Sequence, residues 1–174
     1  MTIPFPARHG LLLAVLVIVV DQATKLWIVD GVMVPPRAIE VTSFFNIVMV
    51  WNRGISFGLF NNGSPLNALI LPALALAIVA VLLFWLWRAD GRLTPIALGS
   101  IIGGALGNVI DRLRYDGAVA DFLDFHVAGH HWPAFNVADA AIVVGVALLA
   151  LDLLVLTRGE ETAKEPGSPR TGTG

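Results

Sequence analysis

The sequence predicts an all-α membrane protein, a four-transmembrane-helix bundle with a small extracytoplasmic β element. Three observations predict it. Hydrophobic residues make up 56% of the chain and charged residues only 14%, whereas soluble domains are about a quarter charged; the mean hydropathy is +0.78. Four apolar stretches of about 20 residues each match the thickness of the hydrocarbon layer. A segment rich in β-branched and aromatic residues separates the first two. The net charge of −2 argues against a nucleic-acid partner, which would want a basic face. With no cysteine, there is no disulfide framework, thiol nucleophile or thiolate metal site to consider.

The first span covers about residues 10–29. Ten unbroken apolar residues, Leu11 to Val20, precede Asp21-Gln22-Ala23-Thr24-Lys25 and a further apolar turn. A cleaved signal peptide is the alternative reading of this segment. The further spans and the lack of a small-x-small cleavage site weigh against it. From Asp30 to Pro65 the character changes. Pro35-Pro36 breaks any helix, and Glu40 to Phe60 reads as short strands at or just outside the membrane surface.

The second span, about 66–87, carries Pro72, which a membrane helix tolerates, and places Trp85 and Trp87 at an interface. Arg88 to Arg92 is a tight turn. The third span, about 93–110, contains Gly99-x-x-x-Gly103-x-x-x-Gly107, a stripe that lets helices approach closely. The fourth span covers about 137–156. Residues 1–157 thus form a single membrane domain. The polar, Gly- and Pro-containing segment 158–174 is expected to be a disordered cytoplasmic tail. Four spans put both termini on one side. Arg8, Arg88, Arg92, Arg158, Lys164 and Arg170 lie on that side, and the bias favours the cytoplasm.

The polar residues that matter cluster toward the other side. The stretch from Gly103 to Asp139 holds five of the nine aspartates, together with Asn108, Arg112 and Asn136. Asp21 sits well inside the first span, where a carboxylate faces the bundle interior and marks a functional site by default. An ion pair with Lys25 at i+4 is the simpler account. Asn108, Asp111 and Arg112 share one helix face. They serve either to satisfy a helix end, with Asp111 paired to Arg112, or to aim a cation and hydrogen-bond donors at a peptide carbonyl. Asn136-x-x-Asp139 reads as an N-cap with an acidic N3. Asn52-Arg53-Gly54 reads as a hairpin turn, or as a loop whose Asn52 or Arg53 contacts a bound peptide or headgroup.

Carboxylates brought together beside lipid cannot all ionise. One keeps its proton while its neighbour acts as a base, which is the arrangement that activates water for attack on an amide. No Gly-x-Ser-x-Gly competes, and Ser43, Ser56 and Ser100 have no base nearby in sequence. His126, His130 and His131 with Asp121 and Asp124 contain ligand types for zinc, but no His-Glu-x-x-His helix carries them. A small transporter is the rival of another class. It would need polar groups through the full depth of the bilayer, and apart from Asp152 the inner halves are apolar.

Five ordered motifs now come together: Asp21-Gln22-x-x-Lys25, Asn52-x-Gly54-x-x-Phe57, Gly107-Asn108-x-x-Asp111-Arg112, Val119-x-Asp121-Phe122 and Phe135-Asn136-x-Ala138-Asp139. Spanning nearly the whole chain, they resemble the bacterial lipoprotein signal peptidase (signal peptidase II) family. The resemblance implies an aspartyl endopeptidase of the inner membrane. It would cut prolipoproteins just before a diacylglyceryl-modified cysteine, without a cofactor or metal, and act near the outer leaflet. It implies Asp121 and Asp139 as the catalytic pair. Asn108, Asp111, Arg112 and Asn136 would support that pair and hold substrate, with Asp21, Asn52 and Gly54 also at the site. The implied fold adds a β cradle and a short outer loop or helix. The implied partners are the lipid-modified signal peptide, membrane lipids and the cyclic peptide inhibitor globomycin, met by a monomer. The run between Arg112 and Asp121 is about one residue longer than the family pattern leads one to expect, which leaves Asp124 as the alternative partner of Asp139.

Overall fold

The computed structural model describes residues 4–54 and 67–164. Phe57 and residues 165–174 of the expected tail therefore lie outside the described residues. Four helices are long and apolar enough to cross a membrane, over Phe5–Val32, Ala68–Arg88, Leu93–Arg114 and Val137–Leu154. Helix α1 (Phe5–Trp27) begins with Pro6 in its first turn, where a missing N–H costs nothing. It continues without a break into one wide π turn, Ile28–Val32. Helix α2 spans Asn67–Arg88 and keeps Pro72 inside it, α3 spans Leu93–Arg114, and α4 spans Val137–Lys164. The last helix runs past Leu156 into the polar segment that composition assigned to the tail. Gly91, at φ +73°, supplies the left-handed turn between α2 and α3.

Helix α3 is the most buried of the four and packs against α1, α2 and α4. Its glycines make this possible. A Cβ on Gly99 would run into the Gly10 carbonyl of α1, and one on Gly103 would lie 2.7 Å from the Ala14 carbonyl. The stripe is therefore a contact between two backbones, as a small-x-x-x-small pattern predicts. The opposite pattern holds outside. Leu12, Val15 and Leu16 of α1, Leu69, Leu74 and Val81 of α2, and Val143 and Val146 of α4 are exposed apolar side chains. Their only compatible solvent is lipid.

Strands β1 (Ile39–Thr42), β2 (Phe45–Asn52), β3 (Val119–Val127) and β4 (His130–His131) form an antiparallel sheet in the order β1-β2-β3-β4. The first two match the strand-rich segment expected between the first two spans. The third and fourth lie between Asp111 and Phe135, where the residues themselves suggested no strand. The β3 portion, VADFLDFHV, is rich in aromatic and β-branched residues and is bracketed by Gly117 and Gly129, both at positive φ. Phe122 packs with Ile28 and Met33 and seats the sheet on the end of α1.

Candidate active site

Strand β3 alternates its side chains, so residues three apart point to opposite faces. Asp121 and Asp124 are three apart and are buried on different sides of the sheet. Asp124 lies opposite Asn46 of β2, whose Nδ2 donates to Asp124 Oδ2 at 3.0 Å. Nδ1 of His131, from β4, is 2.9 Å from both Asp124 oxygens, and the His126 ring stacks on that of His131. Burial pushes the Asp124 carboxyl up, but the hydrogen bonds of His131 and Asn46 and the two histidines' charges outweigh it and hold it below the ordinary value. Asp124 is thus engaged with its own partners, in a cluster apart from Asp139.

Asp121 faces the helices. Asn136 Nδ2 donates to Asp121 Oδ1 at 2.7 Å, and Asn52 Nδ2 donates to Asp121 Oδ2 at 3.1 Å. Asn52 reaches it diagonally, because its direct partner across the ladder is Val119. The Asn52 Oδ1 accepts the Gly54 N–H at 3.0 Å, so this residue closes a local turn and contacts Asp121 at once. Asn136 is the N-cap expected from sequence. Its Oδ1 accepts the Asp139 N–H at 2.9 Å, and Asp139 Oδ2 accepts the Asn136 N–H at 3.3 Å, a reciprocal capping box. Asp139 Oδ1 accepts Asn108 Nδ2 at 2.8 Å, and Asn108 Oδ1 accepts Asn136 Nδ2 at 3.2 Å. The two aspartates are therefore joined through two asparagine amides. Burial first, and the charge of Asp139 second, push the Asp121 carboxyl from its ordinary 3.8 to about 7, against the opposing hydrogen bonds of Asn52 and Asn136.

Arg112 does not pair with Asp111. Its Nη2 donates to the Gly54 carbonyl at 2.9 Å, while its Nε is buried and has no hydrogen-bond partner among the described residues. Asp111 and Asp21 both bind Lys25 Nζ at 3.0 Å, with all three residues essentially solvent-free. Asp111 Oδ2 accepts the Ala120 N–H at 3.0 Å and Asp21 Oδ1 accepts the Ala138 N–H at 2.9 Å. Gln22 Nε2 donates to Asp21, to the Gly107 carbonyl and to Asp111. Asp21 is thus placed beneath the Asp121/Asp139 pair, one layer removed from it. From the sequence, Lys25 stands as the i+4 partner of Asp21 and a member of the same motif, with no link to Asp111 or Asn108. The signal for more was a cation deep in an apolar span with three carboxylates or amides of compatible depth.

A family model described as signal peptidase (SPase) II matches residues 13–155. The chain belongs to the signal peptidase II family. Among curated relatives, the lipoprotein signal peptidase of Rhodopseudomonas palustris strain TIE-1 is 45% identical over 166 residues, covering 92% of this chain and 99% of the relative. That of Beijerinckia indica is 48% identical, covering 94% of each. A bacterial membrane enzyme solved in meso at 2.3 Å resolution is 28% identical, with a TM-score of 0.74 over 92% of this chain and 93% of that one. A second such enzyme, solved at 1.9 Å, is 31% identical with a TM-score of 0.71 over 83% of this chain and 92% of that one. Family membership makes the chain a membrane peptidase, with the mostly helical, small-sheet architecture described above.

Proposed function

We propose that this chain is an aspartyl endopeptidase that removes the signal peptide from diacylglyceryl-modified prolipoproteins, cutting just before the lipidated cysteine. The observation that carries the reading is the pairing of buried Asp121 with half-buried Asp139, bridged by Asn136 and Asn108, with the Asp121 carboxyl raised to about 7. At neutral pH such a pair holds a single proton between its members. The ionised member takes a proton from water, the water attacks the scissile carbonyl, and the protonated member donates to the developing oxyanion or to the leaving amine. Arg112 supports the same reading. Its guanidinium is fixed by the Gly54 carbonyl, and a cation held there stabilises the charge that develops at the scissile carbonyl. Asn52 and Gly54 place the edge of β2 beside the reacting bond.

The substrate enters sideways from the bilayer, keeping its acyl chains in lipid. The enzyme works as a monomer in the inner membrane, with both termini cytoplasmic and the site near the outer leaflet. Globomycin-type cyclic peptides inhibit it. The test is cleavage of a diacylglyceryl-modified prolipoprotein by the purified protein in detergent, comparing wild type with Asp121→Asn, Asp139→Asn and Asp124→Asn, all verified as folded. The first two are expected to lose turnover and the third to keep it. Wild-type turnover in either of the first two refutes the pair as the catalytic groups.

A further inference from the structure

An asparagine amide has a donor end and an acceptor end of almost the same shape, so its neighbours decide which way it faces. At Asn108, Oδ1 accepts from Lys25 Nζ at 3.0 Å and from Asn136 Nδ2 at 3.2 Å, while Nδ2 donates to Asp139 Oδ1 at 2.8 Å. Reversal would set an NH2 against an ammonium and a second NH2, and an oxygen against a carboxylate. The Lys25 charge therefore selects the orientation that Asp139 needs.

Lys25 is itself held in place. An ammonium has three donors, and at 1% exposure those of Lys25 meet Asp21 Oδ2, Asp111 Oδ2 and Asn108 Oδ1, each at 3.0 Å. The two carboxylates continue outward in matching fashion. Asp21 grips the N–H of Ala138, the residue before Asp139, and Asp111 grips the N–H of Ala120, the residue before Asp121. One cation on α1 thereby reaches both members of the pair through backbone and reaches Asp139 again through Asn108.

We infer that Lys25 is a positioning residue for the peptidase reaction, fixing the separation and mutual orientation of Asp121 and Asp139 through Asp21, Asp111 and Asn108 without touching substrate. The inference rests on the catalytic pair proposed above. A misplacement of about 1 Å in such a pair costs on the order of a hundredfold in rate while leaving substrate contacts intact.

The experiment is steady-state cleavage of the lipid-modified prolipoprotein by purified full-length variants, with thermal unfolding measured on the same samples. Lys25→Met is expected to lower kcat at least about tenfold, with KM within about twofold. Because that change strands two buried carboxylates, Lys25→Met/Asp111→Asn is made alongside it to restore the net charge of the cluster. It is expected to regain thermal stability while kcat stays below that of Asp111→Asn alone. In an Asn108→Ala background, Lys25→Met is expected to lower kcat by a smaller factor than in wild type, since one of its three arms is already gone while those through Asp21 and Asp111 remain.

Recovery of kcat together with stability, or full additivity with Asn108→Ala, overturns the inference and leaves Lys25 as a structural cation. Asp121→Asn and Asp139→Asn are run in the same assay. If they turn over normally, the catalytic pair is wrong and this proposal goes with it. If they are dead while the Lys25 double variant is fully active, the Lys25 proposal alone is refuted.

Discussion

Asp121 should make the folded protein less stable as pH rises, and removing its carboxyl should abolish that dependence. Its carboxyl moves from 3.8 to about 7 on folding, so between those values the folded state binds a proton that the unfolded chain has released. Stability then falls with pH, because ionising a solvent-free carboxylate beside Asp139 opposes folding. The whole shift of about three units corresponds to roughly 4 kcal/mol, and the part between pH 5 and pH 8 to roughly 2.5 kcal/mol. The assay is thermal unfolding in detergent at both pH values for wild type and Asp121→Asn. The pH slopes are the quantity to compare. An asparagine has one acceptor oxygen for the two donors that Asn52 and Asn136 present, which gives the variant an offset of its own at every pH. Wild type should lose more stability than Asp121→Asn between pH 5 and pH 8. Equal slopes would show that Asp121 titrates as an ordinary carboxyl, and the shared-proton mechanism would lose its electrostatic basis.

Three further outcomes follow from the same geometry. Asn52→Leu removes a donor that favours the ionised form of Asp121, so the alkaline limb of the cleavage–pH profile should move upward, by about one unit for a hydrogen bond of that strength; an unmoved limb refutes the assignment. Gly107→Ala places a Cβ 2.5 Å from Asp21 Oδ2 and 3.4 Å from the Ala138 Cβ. Asp21 is held by Lys25 and the Ala138 N–H and cannot yield, so a loss of about 1–3 kcal/mol is expected in detergent unfolding. Asp124 is held below its ordinary value by His131 and Asn46. Its contribution is therefore present above the unfolded value of 3.8 and lost as pH falls through the folded one. Asp124→Asn should accordingly weaken the sheet modestly near neutrality, because the His131 side of the pair is half exposed, and should leave kcat within about twofold, because Asp124 is engaged with Asn46 and His131 and not with Asp139.

The spans were legible because hydropathy and length are properties of single segments. The stripe of Gly99, Gly103 and Gly107 was legible for the same reason, although the sequence could not say that its partner is α1. The N-cap role of Asn136 is local too, and it holds together with the link to Asp121 rather than instead of it. Whether Asp121 or Asp124 lies near Asp139 depended on β3 being a strand. A loop of either length would have allowed both; the two-residue period puts them on opposite faces. The Asp111–Arg112 pairing fell because i,i+1 residues on a helix do not face one another. The opposite charge for Asp111 came instead from Lys25, on another helix and distant in sequence. Such long-range pairings leave no periodicity to read.

The same groups that orient the reacting carboxylates also join the elements that carry them. Lys25 and Asp21 belong to α1, Asn108 and Asp111 to α3, Ala120 to β3 and Ala138 to α4. A buried ion cluster of this kind contributes little net stability over an apolar replacement, yet losing one partner strands the others at a cost of about 3–5 kcal/mol. Stability alone gives little reason to keep such a cluster in the bilayer. What an apolar core could not supply is direction: charges and amides fix the donors facing Asp139 and the backbone before each aspartate, whereas leucines would only fill the volume. Inactive variants at Asp21 or Asp111 are therefore ambiguous on their own, since each residue supports both packing and alignment. Charge-restored pairs such as Lys25→Met/Asp111→Asn separate the two, because net charge can be returned to the cluster without returning its geometry.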